Sequence, residues 1–232
     1  MELEIVKSLF KDNQELNELF QNCPVDILKH WEIKEYPPGA IVYRQGEKCD
    51  RLSIIGEGCV DIYVMAENGR KYSPRVLEKG DFIGEMELFE EKPLLNSVES
   101  ITKLKLLQIK REYFLKWLEL DRNISMYIIK YSSSRSCKCA QKAIENSLYS
   151  LKTRVCNYLI SCCKQVMDKD NYLEIKLNKE KLSERFAVTV RSINRILQDL
   201  KKESIIEVDA NMAIIVKDFK KLVLEEKKSR LT

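Results

Sequence analysis

The chain has 232 residues, 44% hydrophobic and 33% charged, which is enough apolar material for true cores and a length that implies two domains. No stretch approaches the roughly 18 apolar residues of a membrane span, and the opening Met1-Glu-Leu-Glu-Ile-Val-Lys7 lacks a signal-peptide layout, so a cytosolic protein with no membrane partner is expected. The net charge of +4 is uneven: residues 149–232 carry 18 Lys+Arg against 12 Asp+Glu, whereas residues 1–148 carry 22 against 24. A basic excess confined to the carboxyl third suits a nucleic-acid-binding end on a neutral body.

All seven glycines lie between Gly39 and Gly84, and all five prolines lie at or before Pro93. Glycines supply the positive-φ positions of tight turns, so the first half is expected to be turn-dense β structure. Between them stand short runs rich in β-branched and aromatic residues: Ala40-Ile-Val-Tyr43, Leu52-Ser-Ile-Ile55, Val60-Asp-Ile-Tyr-Val64 and Arg75-Val-Leu77. Their spacing fits a β sandwich or roll. From Leu94 onward there is neither Gly nor Pro to interrupt a helix.

The β pattern stops between Leu107 and Lys110, and Arg111–Leu120 reads as a short helix with Phe114, Trp117 and Leu118 on one side. A longer helix follows over about 123–147, where Ile124, Ile128 and Ile129 give way to Ser132, Ser133, Ser134, Ser136, Cys137, Cys139, Ala140 and Ala143. Small residues permit close approach of another helix, and roughly 25 residues span about 37 Å, more than a small β roll covers. The remainder is expected to pair with a second copy in a homodimer.

The strongest local pattern runs from Asn178 to Val216. Asn178 can cap a helix that has Glu180 in its first turn and Leu182 and Phe186 on its core face. After a turn at Ala187-Val188, Thr189 caps a second helix in which Ile193, Ile196, Leu197 and Leu200 form an i, i+3, i+4, i+7 stripe. Its other face carries Arg191, Asn194, Arg195 and Gln198, side chains suited to base edges: Arg to guanine, Asn or Gln to adenine. This describes a helix-turn-helix, with Lys179, Thr189, Val190, Arg191, Ser192, Asn194 and Arg195 as the candidate DNA contacts. Ile205–Val208 and Ala213–Val216, joined by Asp209-Ala210-Asn211-Met212, read as a β-hairpin wing whose turn would rely on Asn211 or Asp209.

Gly80-Asp-Phe-Ile-Gly-Glu-Met-Glu-Leu-Phe-Glu-Glu91 resembles the phosphate-binding cassette of cyclic-nucleotide-binding domains. With Gly46-Glu47-Lys48, Gly58-Cys-Val60 and the later helix-turn-helix, the chain over about residues 20–220 resembles a Crp/Fnr-family transcription regulator. The resemblance implies an α+β architecture: an effector-binding β roll over 1–117, a dimerisation helix over 118–148, a hinge near Ser150-Leu151, and a winged helix-turn-helix over 149–232. It also implies a homodimer on a palindromic double-stranded operator, with RNA polymerase as a further partner. In members that bind cyclic AMP, a Gly-Glu pair serves the phosphate and ribose, and Gly84 and Glu85 match it. An Arg-Ser pair about ten residues on neutralises the phosphate, but here the sequence reads Lys92-Pro-Leu-Leu-Asn-Ser97, placing Leu94 or Leu95 at the Arg position and Asn96 beside it. The adenine-contacting residues of the long helix fall on Cys139 and Ala140, within a slip of one. With the bidentate guanidinium missing, cyclic AMP is not the expected effector, and no cofactor is expected.

The family's recognition helix opens Ser/Thr-x-Glu-Thr-x-x-Arg, whereas this chain has Thr189-Val-Arg-Ser-Ile-Asn-Arg195. Arg191 in place of Glu predicts a guanine preference at its position. Ala187 stands where Gly is common, and a left-handed conformation there costs about 1 to 2 kcal/mol; an alternative is a turn built differently.

Eight cysteines in a cytosolic chain are not expected to form lasting disulfides. Cys156 and Cys163 read as core packing, and Cys23 alone does not match the clustered cysteines of relatives that carry an iron–sulfur centre. A thiol on the long helix pairing with its symmetry mate offers redox control as an alternative to a ligand. A metal-dependent β-roll enzyme would need several His ligands, and the only histidine, His30, reads as a surface or packing residue in an amino-terminal helix. No catalytic constellation stands out, so an enzyme is not expected. A sensor that acts on a protein partner instead of DNA is the remaining alternative.

Overall fold

A computed structural model describes residues 3–166, 173–175, 179–209 and 213–231. It divides into two compact units, Met1–Ser133 and Ser134–Thr232, with the boundary inside the long helix.

In the first unit, α1 (Leu3–Leu9), α2 (Gln14–Gln21) and α3 (Val25–Leu28) precede eight strands. These are β1 (Glu32–Tyr36), β2 (Ile41–Tyr43), β3 (Arg51–Glu57), β4 (Val60–Met65), β5 (Lys71–Leu77), β6 (Phe82–Ile83), β7 (Ser97–Ser100) and β8 (Leu104–Lys110). Two four-stranded antiparallel sheets result, ordered β1-β8-β3-β6 and β2-β7-β4-β5. Alternation along β3 and β8 separates two cores: Leu52, Ile54, Leu107 and Ile109 join the helix-covered cluster, whereas Ile55, Leu104 and Leu106 join the cluster inside the roll. The helix-covered core also holds Phe20, Trp31, Phe114 and Trp117. Phe114 and Trp117 come from α5 (Arg111–Leu120), whose bounds match the sequence expectation.

His30 follows α3 instead of lying within a helix, and stacks on Tyr113 with ring centroids 3.5 Å apart. Its surroundings are aromatic, and no cluster of three or more His, Cys, Asp or Glu able to hold a metal occurs among the described residues.

The long helix α6 runs from Arg122 to Leu148. Ile124 and Ile128 are buried, but Ile129 is 56% exposed, so only part of the expected apolar side meets the roll. The helix stops at Tyr149-Ser150, where Ser150 Oγ accepts from Thr153 N–H at 3.2 Å and starts α7 (Leu151–Val166).

The second unit continues through β9 (Leu173–Ile175), α8 (Lys179–Phe186), α9 (Val190–Lys202), β10 (Ile206–Val208), β11 (Ile214–Val216) and α10 (Phe219–Arg230). β10 and β11 form the expected hairpin, closed by Asp209, which accepts from Ala213 N–H through Oδ1 at 2.8 Å. The rest of that turn, Ala210-Asn211-Met212, lies outside the described residues, as does Asn178. β9 adds a third strand that the sequence pattern did not reveal. Cys156 and Cys163 are fully buried in this unit's core, and burial pushes their thiols up to about 12 and about 11. They act as packing groups, not nucleophiles.

Candidate nucleic-acid interface and effector pocket

The helix-turn-helix is built from a C-terminal cap without glycine. Val188 N–H bonds Ser183 C=O at 3.1 Å and Ala187 N–H bonds Glu184 C=O at 3.3 Å, the paired bonds of a Schellman motif. Its left-handed position is occupied by Ala187, with φ of 52°. The turn is therefore the ordinary one with a strained residue, not a different construction. Val188 packs against the cluster containing Leu182, the hydrophobic contact that accompanies this cap.

Thr189 then caps α9, accepting from Ser192 N–H through Oγ1 at 3.2 Å. Ile193, Ile196, Leu197 and Leu200 are buried, as the stripe requires. Arg191, Arg195 and Gln198 are exposed along the opposite face, Asn194 and Ser192 are half-buried, and Val190 is half-buried at the first turn. Lys179, half-buried, begins α8. Of the candidate DNA contacts, Arg191 and Arg195 stand free of any ion pair among the described residues, so both guanidinium forks remain available.

In the first unit, Gly84 has φ of 90°, and a Cβ there would meet Cys49 Sγ at 2.8 Å and Arg51 C=O at 2.9 Å. Only glycine fits. It precedes the short helix α4 (Glu85–Glu90), with Glu85 buried at 2% exposure. Leu94 is buried in the helix-covered core, Leu95 is 62% exposed with its N–H on Glu87 Oε1 at 3.2 Å, and Asn96 is half-buried. Cys139 and Ala140 are exposed on the part of α6 that belongs to the other unit.

Two features of the roll were not anticipated. Facing each other in register on β3 and β8, Ser53 and Gln108 project with Tyr43 as a polar cluster: Gln108 Nε2 donates to Tyr43 Oη at 2.6 Å and Ser53 Oγ at 3.0 Å. Burial pushes the Tyr43 phenol up to about 12, so it stays protonated as a hydrogen-bonding group. The second is Arg75 on β5, cross-strand from buried Ile62 and hence on the roll's inner face. It stands 3.5 Å from Asp81, whose Oδ1 also accepts from Tyr131 Oη of α6 at 3.0 Å. Tyr131 Oη accepts in turn from Phe82 N–H at 2.9 Å. A continuous polar chain thus joins the roll's inner face, the strand leading to Gly84 and α6. No composition signal marks Arg75; only its pairing with Ile62 puts it inside.

Residues 33–121 match the cyclic nucleotide-binding domain, and residues 153–224 match the Crp-like helix-turn-helix domain. The chain belongs to the Crp/Fnr family. It is 24% identical over 192 residues to the cAMP-activated global transcriptional regulator CRP of Salmonella typhimurium, covering 82% of this chain and 91% of that protein. It is 26% identical over 179 residues to the anaerobic regulatory protein of Bacillus subtilis, covering 75% of each. In fold it resembles a Crp/Fnr-family transcriptional regulator from Eubacterium rectale, with TM-score 0.74 at 16% identity over 90% of this chain and 97% of that one. The c-di-GMP responsive global regulator CLP of Xanthomonas campestris gives TM-score 0.73 at 18% identity over 82% and 95%. As a Crp/Fnr-type protein, the chain is a DNA-binding transcription regulator with a cyclic-nucleotide-binding-like domain. Among the described residues no helix is long and apolar enough to cross a membrane.

Proposed function

We propose that the protein regulates transcription as a homodimer that places α9 of each copy in successive major grooves of a two-fold symmetric operator, under control of an effector other than cyclic AMP or of its redox state. The observation that carries the base-reading part is α9 itself: a capped helix, firmly seated by four buried aliphatic residues, presenting Arg191, Arg195 and Gln198 outward. Dimerisation is supported by a stripe of α6 on which Ile129, Ser133, Ser136, Ala140, Ile144 and Ser147 are all exposed. An apolar, small-residue stripe of this length fits a second copy of the same helix.

The departure from cyclic AMP rests on Leu94 and Leu95. One is core and the other is solvent-exposed, and neither supplies a charge to a phosphate held at Gly84. The inner face offers Arg75 instead, so an effector with an anionic group is placed to compete with Asp81 for that guanidinium. Displacing Asp81 would loosen its bond to Tyr131 and shift the populations of α6 orientations. Redox control would act through Cys137 and Cys139, both exposed on α6. RNA polymerase is the proposed protein partner on family grounds.

The deciding experiment is selection of bound sequences from a random DNA library, followed by titration of the selected duplex with and without cyclic AMP. A palindromic site whose affinity is unchanged by cyclic AMP is expected. Binding indifferent to sequence would overturn the base-reading role, and a large gain on adding cyclic AMP would overturn the effector argument.

A further inference from the structure

The second unit holds a cavity of about 490 Å3 walled by the carboxyl-terminal turns of α6 and by α7 and α8, with Arg230 of α10 at its edge. Lys138, Lys142, Arg154, Arg185 and Arg230 line it, against one carboxylate, Glu145. Arg230 is neutralised by Glu226, and Glu145 accepts from the Gln141 amide at 3.2 Å. Among the described residues no ion pair reaches Lys138, Arg154 or Arg185.

Two of these cations are held in place by neutral groups. Arg154 Nη1 donates to Asn146 Oδ1 at 2.8 Å, while its Nε is buried without a hydrogen-bond partner. A guanidinium N–H desolvated without an acceptor is costly, and a ligand oxygen would relieve that cost. The Arg185 guanidinium lies over the Tyr158 ring at 4.0 Å, and Tyr158 packs edge-on to Phe186. Fixed forks facing a concave space suit planar, multi-oxygen anions. The volume lies within the range of small-molecule sites, roughly 300–1,000 Å3, and the amides of Gln141, Asn146 and Asn157 add donors and acceptors for a sugar or base edge.

Two placements separate this site from those above. Lys138, Gln141, Lys142 and Glu145 recur at i, i+3, i+4 and i+7, half a turn from Ser136, Ala140, Ala143 and Ser147, so pairing of α6 along the small-residue stripe leaves the cavity open. The exposed Arg191 and Arg195 of α9 take no part in its lining. We infer that this cavity binds a phosphate-bearing small molecule of nucleotide size, bridging α6 to α7 and α8 across the break at Tyr149-Ser150.

Isothermal titration of the full chain with inorganic pyrophosphate and with guanosine diphosphate tests it. Saturable binding of both at one site per chain is expected, with the nucleotide tighter. Arg154→Gln should weaken each about tenfold or more, and Lys138→Gln, at an exposed position that folding does not need, should weaken each severalfold. Absence of saturable heat at millimolar probe, or unchanged affinity in both variants, overturns the site. So does displacement of both probes by a non-specific DNA duplex for which the two variants lose affinity in the same proportion, because that would assign the cations to the DNA backbone.

Discussion

Replacing Ala187 by glycine tests the turn on which α9 is hung. Ala187 holds φ of 52° in a Schellman cap, a conformation that costs an L-residue about 1–2 kcal/mol. Glycine removes that cost but adds conformational freedom to the unfolded chain, worth about 0.4–1 kcal/mol in the opposite direction. A net stabilisation of about 0.5–1 kcal/mol follows. Ala187 is exposed, so no lost methyl packing confuses the result. In a domain of 60–100 residues each kcal/mol moves Tm by about 4–8 °C, giving a rise of about 2–8 °C for the second unit. Scanning calorimetry is the suitable assay, because both tryptophans, Trp31 and Trp117, lie in the first unit and their fluorescence does not report on the second. The tryptophan-detected transition should stay put while the calorimetric transition of the second unit rises. A fall in that transition for Ala187→Gly, or a rise for Ala187→Val, would refute the left-handed assignment.

Arg191→Ala should relax specificity at one base pair per half-site at a cost of about 1–3 kcal/mol, read by binding selections on single-base variants of the operator; an equal loss on every sequence would leave only a phosphate contact. Ile129→Glu with Ile144→Glu, both at exposed positions of the α6 stripe, should convert dimer to monomer in light scattering and weaken operator binding, and an intact dimer would place the interface elsewhere. Stability of the second unit should fall at acid pH. The hydrogen bond from the Lys152 ammonium holds Glu225, itself buried, below the usual carboxylate range, so this contribution is present at neutral pH and is lost as pH falls through the lowered value. Glu225→Gln should begin less stable at pH 7 and show a flatter acid limb in Tm; an identical acid slope would remove Glu225 from the account.

What could be read from the residues followed from where burial is one-sided. The β3 and β4 runs and the α9 stripe are dense in aliphatic residues because they face cores, and they stand where the pattern put them. β1, Glu32-Ile-Lys-Glu-Tyr36, has no buried residue and is ordered by its ladder with β8, so hydrophobic periodicity had nothing to register. β9 is three residues long and exists through pairing with β11. Absence of glycine and proline from Leu94 onward left α5 to α10 uninterrupted, but it did not exclude β7 to β11 and it hid the left-handed caps. Ala187 and Ser204 both adopt positive φ after α8 and α9, and Glu91 does so after α4. Backbone bonds such as Ile205 N–H to Leu200 C=O at 3.0 Å impose those conformations on residues whose identity does not announce them.

The effector region shows the same division between backbone and side chain. Gly84 is demanded by its φ and by the closeness of Cys49 and Arg51, constraints that belong to the roll whether or not a phosphate is bound. A glycine required in this way carries fold information, and ligand information resides in the side chains around it. There the local sequence and the strand pairing point to different residues: Leu94 and Leu95 carry no charge, while Arg75, about twenty residues away in the chain, stands on the inner face through β4–β5 pairing. Its guanidinium is already engaged by Asp81, which Tyr131 also holds. On the proposed reading, a ligand that competed for Arg75 would be coupled through Asp81 to Tyr131 of α6, and that coupling supports control at this point of the roll more strongly than the glycine motif does.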